Sequence, residues 1–126
     1  MSEPEDTVED LLGRMMAQEF YLVENKLAAE PSELGPVLKD HLLYMIELEK
    51  SGVLFLSGPL YDRDGTMTFE GVTILRAKSF EEAERIAARD PFVVSGLRTP
   101  KVHKWVVNEG RLNISVSLSN KSASFD

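Results

Sequence analysis

Few side chains in this chain can move a proton near neutral pH: there are two histidines, His41 and His103, and no cysteine. His41 borders an apolar run at helical spacing, Leu38, Leu42, Met45 and Leu48, so its imidazole is expected to be partly buried. In that setting a carboxylate can fix its tautomer and raise its basicity. Asp90, placed directly before Pro91, is the natural orienting group. Both residues also have a plainer reading. A lone histidine on an apolar face is more often a satisfied core residue, and an aspartate before proline often does no more than end a helix. From the residues alone, both readings stand.

Other chemistries drop away. Without cysteine there is no thiolate nucleophile, no disulfide framework and no cysteine-ligated zinc. Two histidines are too few for a histidine-rich metal site within one subunit. Asp62-Arg63-Asp64-Gly65 resembles the opening of a calcium loop, but the glutamate that should close it falls at Glu70, too early, so a plain turn is expected and no metal is predicted. A Gly-rich phosphate loop, a Gly-x-Ser-x-Gly elbow and a dinucleotide fingerprint are all missing, so no cofactor is expected either. Acid–base work or simple binding is left. His103 alternates with Lys101 and Trp105 along one strand face and is expected at a subunit seam. Tyr21, Tyr44, Phe55, Phe92 and Trp105 could line a cavity for a small hydrophobic molecule, or could simply be core.

The 126 residues fit one domain, since domains cluster near roughly 100 to 150 residues. A net charge of −7, with basic residues dispersed singly, argues against a nucleic-acid partner. The uninterrupted apolar runs, Val53–Leu56 among them, are far too short to cross a membrane, and the acidic start Met1–Asp6 is unlike a signal peptide. Together with the absence of cysteine, this makes a cytoplasmic address the expectation.

The elements that would position these residues follow from spacing and turn chemistry. Thr7 and Asp10 form a capping box for an amphipathic helix over 7–17. Glu19–Glu24 reads as a first core strand. Pro36–Ser51 reads as a long helix, with Gly52 free to take the left-handed position after it. Strands are expected at Val53–Ser57 and Gly71–Ala77, followed by a helix that is capped at Ser79 and stopped at Asp90-Pro91, and then a strand near Lys101–Val107. A last alternating stretch, Leu112–Leu118, predicts an added strand before a polar tail. The order is an extra helix, then βαββαβ, then an extension, with boundaries expected at 1–17, 18–108 and 109–126. This is the α+β, ferredoxin-like arrangement, with two helices on one face of a four-stranded antiparallel sheet. Phe20, Leu22, Val72 and Ile74 make the other face apolar too, which predicts a homodimer.

Three segments carry a resemblance. They are Asp40-His41-Leu42 running to Glu49-Lys50-Ser51-Gly52, the strand end Leu56-Ser57-Gly58-Pro59, and Ala88-Arg89-Asp90-Pro91-Phe92. In this order, with the strand Gly71–Ala77 between the second and third, they resemble the YCII-related (YciI-like) family of dimeric α+β barrel proteins over about residues 18–107. The resemblance implies that His41 and Asp90 face a cavity and act together, and that Ser57 lines the same pocket; by their aromatic type, Tyr21, Phe55 and Phe92 are expected as further substrate contacts. It also implies kinship in fold with muconolactone isomerases, and some relatives are dehydrochlorinases. The function expected is a small cofactor-independent lyase or isomerase acting on a cyclic or unsaturated acid or phenol. The alternative is a non-catalytic dimeric module that binds a hydrophobic metabolite or a protein partner.

Overall fold

The computed structural model describes residues 5–125, so the acidic Met1–Pro4 and the final Asp126 lie outside the described residues. The chain forms two compact units, one spanning residues 19–106 and the other built from the segments before and after it.

The larger unit is a four-stranded antiparallel sheet with helices. Its elements are β1 (Gln18–Leu27), α2 (Gly35–Lys50), β2 (Leu54–Tyr61), β3 (Met67–Leu75), α3 (Phe80–Ala88), α4 (Pro91–Val94) and β4 (Arg98–Val107), with α1 (Val8–Gly13) belonging to the smaller unit. The strand order is β2-β3-β1-β4, the ferredoxin-like order expected from βαββαβ. The register pairs Tyr21 with Leu75 and Val23 with Thr73. That puts Tyr21, Val23 and Leu75 on the face where Ala83 and Ala87 of α3 pack, and the small alanine side chains let the helix lie close to the sheet. A second cluster, Leu34, Phe92 and Leu97, ties α4 to the turn that precedes α2.

Each boundary has a local cause. The Ser79 hydroxyl accepts the Glu82 N–H and starts α3. Gly52 takes φ 80° after α2, with its N–H on the Glu49 carbonyl and that of Val53 on the Leu48 carbonyl, a Schellman ending. β2 runs on through Gly58-Pro59 to Tyr61, beyond the expected end at Ser57, because proline is tolerated in a strand at the sheet edge. Gly71 is required beside it, since a Cβ there would lie 2.9 Å from the Gly58 carbonyl oxygen. Asp62–Thr66 is a plain turn, held by Asp62 N–H on the Thr66 carbonyl and Thr66 N–H on Asp64 Oδ1.

The sheet face away from the helices is less bare than the alternation implied. Phe20 and Ile74 on that face are only 3% and 5% exposed, and the Phe55 ring stacks on Phe20 with centroids 4.7 Å apart. Exposed apolar side chains lie on α2, at Leu38, Leu42 and Ile46, and on the edge strand β2, at Leu60 and at Leu56, which is paired with Ile74.

In the smaller unit, the Thr7–Asp10 capping box starts α1 as read, but the helix ends at Gly13, a poor helix former, so Met15 and Met16 lie beyond it. The alternating stretch after Asn108 is shorter than expected. β5 (Ile114–Ser117) pairs with β6 (Ser122–Phe125) as a separate two-stranded sheet and does not join the main one. No helix among the described residues is long and apolar enough to cross a membrane.

Candidate active site

α2 lies along the inner face of β2 and β3 and leaves a cavity of about 600 Å³ between them, within the size range of small-molecule sites. Leu38, Leu42, Met45 and Ile46 line its helical wall, and Ser57, Gly58, Thr73 and Asn25 line the sheet side. His41 sits on the helical wall one turn from Leu38, as the spacing implied.

The cavity meets Asp90 through His41. Because Pro91 follows it, Asp90 is held extended at ψ 127°, ends α3 and becomes the N-cap of α4, its Oδ1 accepting the Phe92 N–H at 2.9 Å. The same oxygen lies 2.9 Å from His41 Nδ1. The carboxylate that caps the helix is therefore also the one that lies against the imidazole. Both side chains are well shielded, at 13% and 4% exposed, and the His41 ring stacks on Phe92 with centroids 4.4 Å apart. With Nδ1–H donated to Asp90, the basic lone pair is on Nε2, which has no protein partner among the described residues.

The sheet side carries a polar chain that runs from the buried Asn25 and Thr73 to the exposed Ser57. Asn25 Nδ2 donates to Thr73 Oγ1 at 3.1 Å, Thr73 Oγ1 lies 3.2 Å from Ser57 Oγ, and Ser57 reaches Met45 Sδ at 3.9 Å. Asn25 and Thr73 are each 5% exposed. At the far end, Arg98 lines the cavity and donates Nε and an Nη to the Phe69 carbonyl at 3.0 and 2.7 Å. Burial lowers the pKa of its guanidinium, opposed by the charges of Asp90 and Glu70.

The structure therefore brings His41, Asp90, Ser57 and Phe92 to one site. Phe55 borders the cavity, but a bulge between the Leu54–Leu75 and Leu56–Ile74 pairs turns its ring onto Phe20. Tyr21 is not among the lining residues; it lies in the core, edge-on to Phe80 at 5.1 Å. The Tyr44 hydroxyl donates to the Ile86 carbonyl at 2.6 Å, and burial raises its pKa, with Arg89 opposing and the charges of Asp90 and Glu47 adding. His103 lies outside the cavity and pairs with Glu24 on the neighbouring strand at 2.5 Å. No three His, Asp or Glu side chains among the described residues converge as a metal site.

Asn25, Thr73, Phe69 and Arg98 were not singled out from sequence. Asn25 and Thr73 had a usable signal, being polar residues in phase with the inward Val23 and Leu75. Arg98 had none, because the strand that carries it was expected to begin only at Lys101.

The YCII-related domain matches residues 19–106, most of the chain. The protein belongs to the YCII-related family. Among solved structures it is similar to 5-chloro-2-hydroxyhydroquinone dehydrochlorinase from Burkholderia phenoliruptrix AC1100, in complex with 2,5-dihydroxybenzoquinone. That likeness has 24% identity and a TM-score of 0.52 over 68% of this chain and 92% of that one, and it establishes a shared fold for this YCII-related protein. No curated protein matched it.

Proposed function

We propose that this YCII-related protein is a small cofactor-independent enzyme in which His41, oriented by Asp90, eliminates from or isomerises a small cyclic or unsaturated acid or phenol. The observation that carries the reading is the His41–Asp90 bond at the wall of a 600 Å³ cavity. His41 Nε2 takes a proton from the substrate, and the electron pair left behind is delocalised into a conjugated carbonyl. In elimination that pair expels a halide from the neighbouring carbon, with net loss of a hydrogen halide. In isomerisation the proton returns to a different carbon. A positioned base contributes about 10²- to 10⁴-fold, so the substrate must already carry an activated proton. Ser57, in line with Thr73 and Asn25, supplies the polar contacts of the sheet side, and Phe92 supplies an apolar wall.

The dehydrochlorinase with the same fold supplies the first candidate substrate, 5-chloro-2-hydroxyhydroquinone, with chloride release as the readout, beside a panel of unsaturated lactones. The reading requires turnover of at least one compound and its loss in His41→Asn. Binding without turnover across the panel would favour the alternative of a binding module. The reading includes a homodimer, supported by the exposed Leu42, Ile46, Leu56 and Leu60 around the outer strand β2. Sedimentation showing only monomer at micromolar concentration would remove that part.

A further inference from the structure

Among the residues lining the cavity, Arg98 carries the one fixed positive charge. No carboxylate among the described residues forms a close ion pair with it, although the charges of Asp90 and Glu70 act on it from farther away. Among the described residues the hydrogen bonds of Arg98 go to the Phe69 carbonyl, and its remaining N–H groups have no protein partner there. A guanidinium that has given up much of its hydration next to an apolar cavity, with donors to spare, is suited to an oxyanion ligand.

Two further observations show that its position is built. Phe69 adopts φ 62°, in the left-handed region that a bulky residue avoids, at a point where the β2–β3 register skips between the Pro59–Gly71 and Tyr61–Met67 pairs. The carbonyl of this strained residue is the one that grips the fork of Arg98. The guanidinium also lies over the Phe92 ring, 4.7 Å from its centroid, and that same ring stacks with His41. Base and cation therefore share one platform, and Phe92, at 2% exposed, is fixed in the core.

We propose that Arg98 is the anion anchor of this cavity, binding the carboxylate or phenolate oxygen of a small ring compound and setting that ring against His41. This rests on the cavity being the substrate site, and it narrows the substrate class to anions. Arg98 acts as a binding residue, with Phe69 and Phe92 positioning it.

The test uses a matched pair of probes, benzoate and benzyl alcohol, bound to the full chain and followed by ligand-detected NMR. The unaltered protein should hold benzoate at least about tenfold more tightly than the alcohol, since charge-assisted bonds are the stronger class. Arg98→Gln should weaken benzoate about tenfold or more and leave the alcohol within about twofold. Arg98→Lys, which keeps the charge but loses the fork, should recover part of the benzoate affinity. In the unaltered protein, benzoate but not the alcohol should shift the Arg98 Nε resonance, a readout that needs no folded variant. Equal loss of both probes in Arg98→Gln, no preference for benzoate in the parent, or an unmoved Nε resonance would overturn the proposal. His41 turnover plays no part in these measurements, so failure of the anchor and failure of the proposed chemistry are read separately.

Discussion

The molecule holds two histidine–carboxylate pairs, and they are built differently. His41 meets Asp90 between a helix and a helix cap, with side chains 13% and 4% exposed, whereas His103 meets Glu24 across neighbouring strands at 43% and 35%. Asp90 spends the same oxygen on the Phe92 N–H, so its carboxylate is fixed by backbone whether or not the imidazole is there. Among the described residues, Glu24 has one further ion pair, with Lys26 at 3.9 Å. One imidazole lines a cavity and the other does not. A histidine and a carboxylate within hydrogen-bond reach are therefore a weak sign of chemistry. What distinguishes a site is a carboxylate held independently of the histidine and a volume beside the free nitrogen.

The largest effect should separate the two histidines in turnover. Once a substrate is in hand, His41→Asn should cost about 10²- to 10⁴-fold in kcat, and His103→Asn should leave kcat unchanged. Comparable losses from both would erase the contrast. Stability should divide the two carboxylates next. Asp90→Ala removes a cap from α4 and strands a buried imidazole, which together should cost about 2 kcal/mol by denaturant titration. Glu24→Ala should cost less, since exposed pairs contribute little. Asp90→Asn is the finer probe. It keeps an acceptor for the Phe92 N–H and should recover much of the lost stability, yet it should still depress kcat more than it raises KM, because a neutral amide does not stabilise the imidazolium that proton transfer creates.

Much of this contrast was legible in the sequence, and the part that was not has a common cause. Local chemistry announces itself: the Thr7 and Ser79 caps, the Gly52 ending and the stop at Asp90-Pro91 each depend on residues within a turn or two of one another. The βαββαβ order follows from those punctuation marks. What stayed hidden depends on pairings distant in the chain. The Phe69 bulge exists because β2 and β3 fall out of step, and no property of Phe69 itself foretells φ 62°. The Arg98 role needs the Phe69 carbonyl, 29 residues away, and β5 found its partner in β6 and not at the edge of the main sheet. Tyr21, read as a contact for substrate, went to the core because it is in phase with Val23 and faces the alanines of α3. Aromatic type suggested a cavity, but strand phase decided the matter.

The smallest expected effect concerns pH and salt, and it isolates the exposed pair. The Glu24 carboxylate is held below the usual carboxylate range, first because it accepts a hydrogen bond from His103, with partial burial opposing and the charges of His103, Lys26 and Lys101 adding. A carboxylate whose pKa is lower in the folded than in the unfolded chain stabilises the fold at pH values above its unfolded pKa, about 4.3. That stabilisation is lost as pH falls through the folded value. Parent and Glu24→Gln should therefore differ most in denaturation midpoint above about pH 5 and converge on acidification, with molar salt shrinking the gap at every pH because exposed charges are screened. A gap that ignored both pH and salt would mean that Glu24 is held by neutral contacts. His103–Glu24 would then still differ from His41–Asp90 in exposure and in the backbone hold that the Phe92 N–H gives Asp90, and these, with the cavity beside His41, would remain the grounds for assigning chemistry to one pair and not the other.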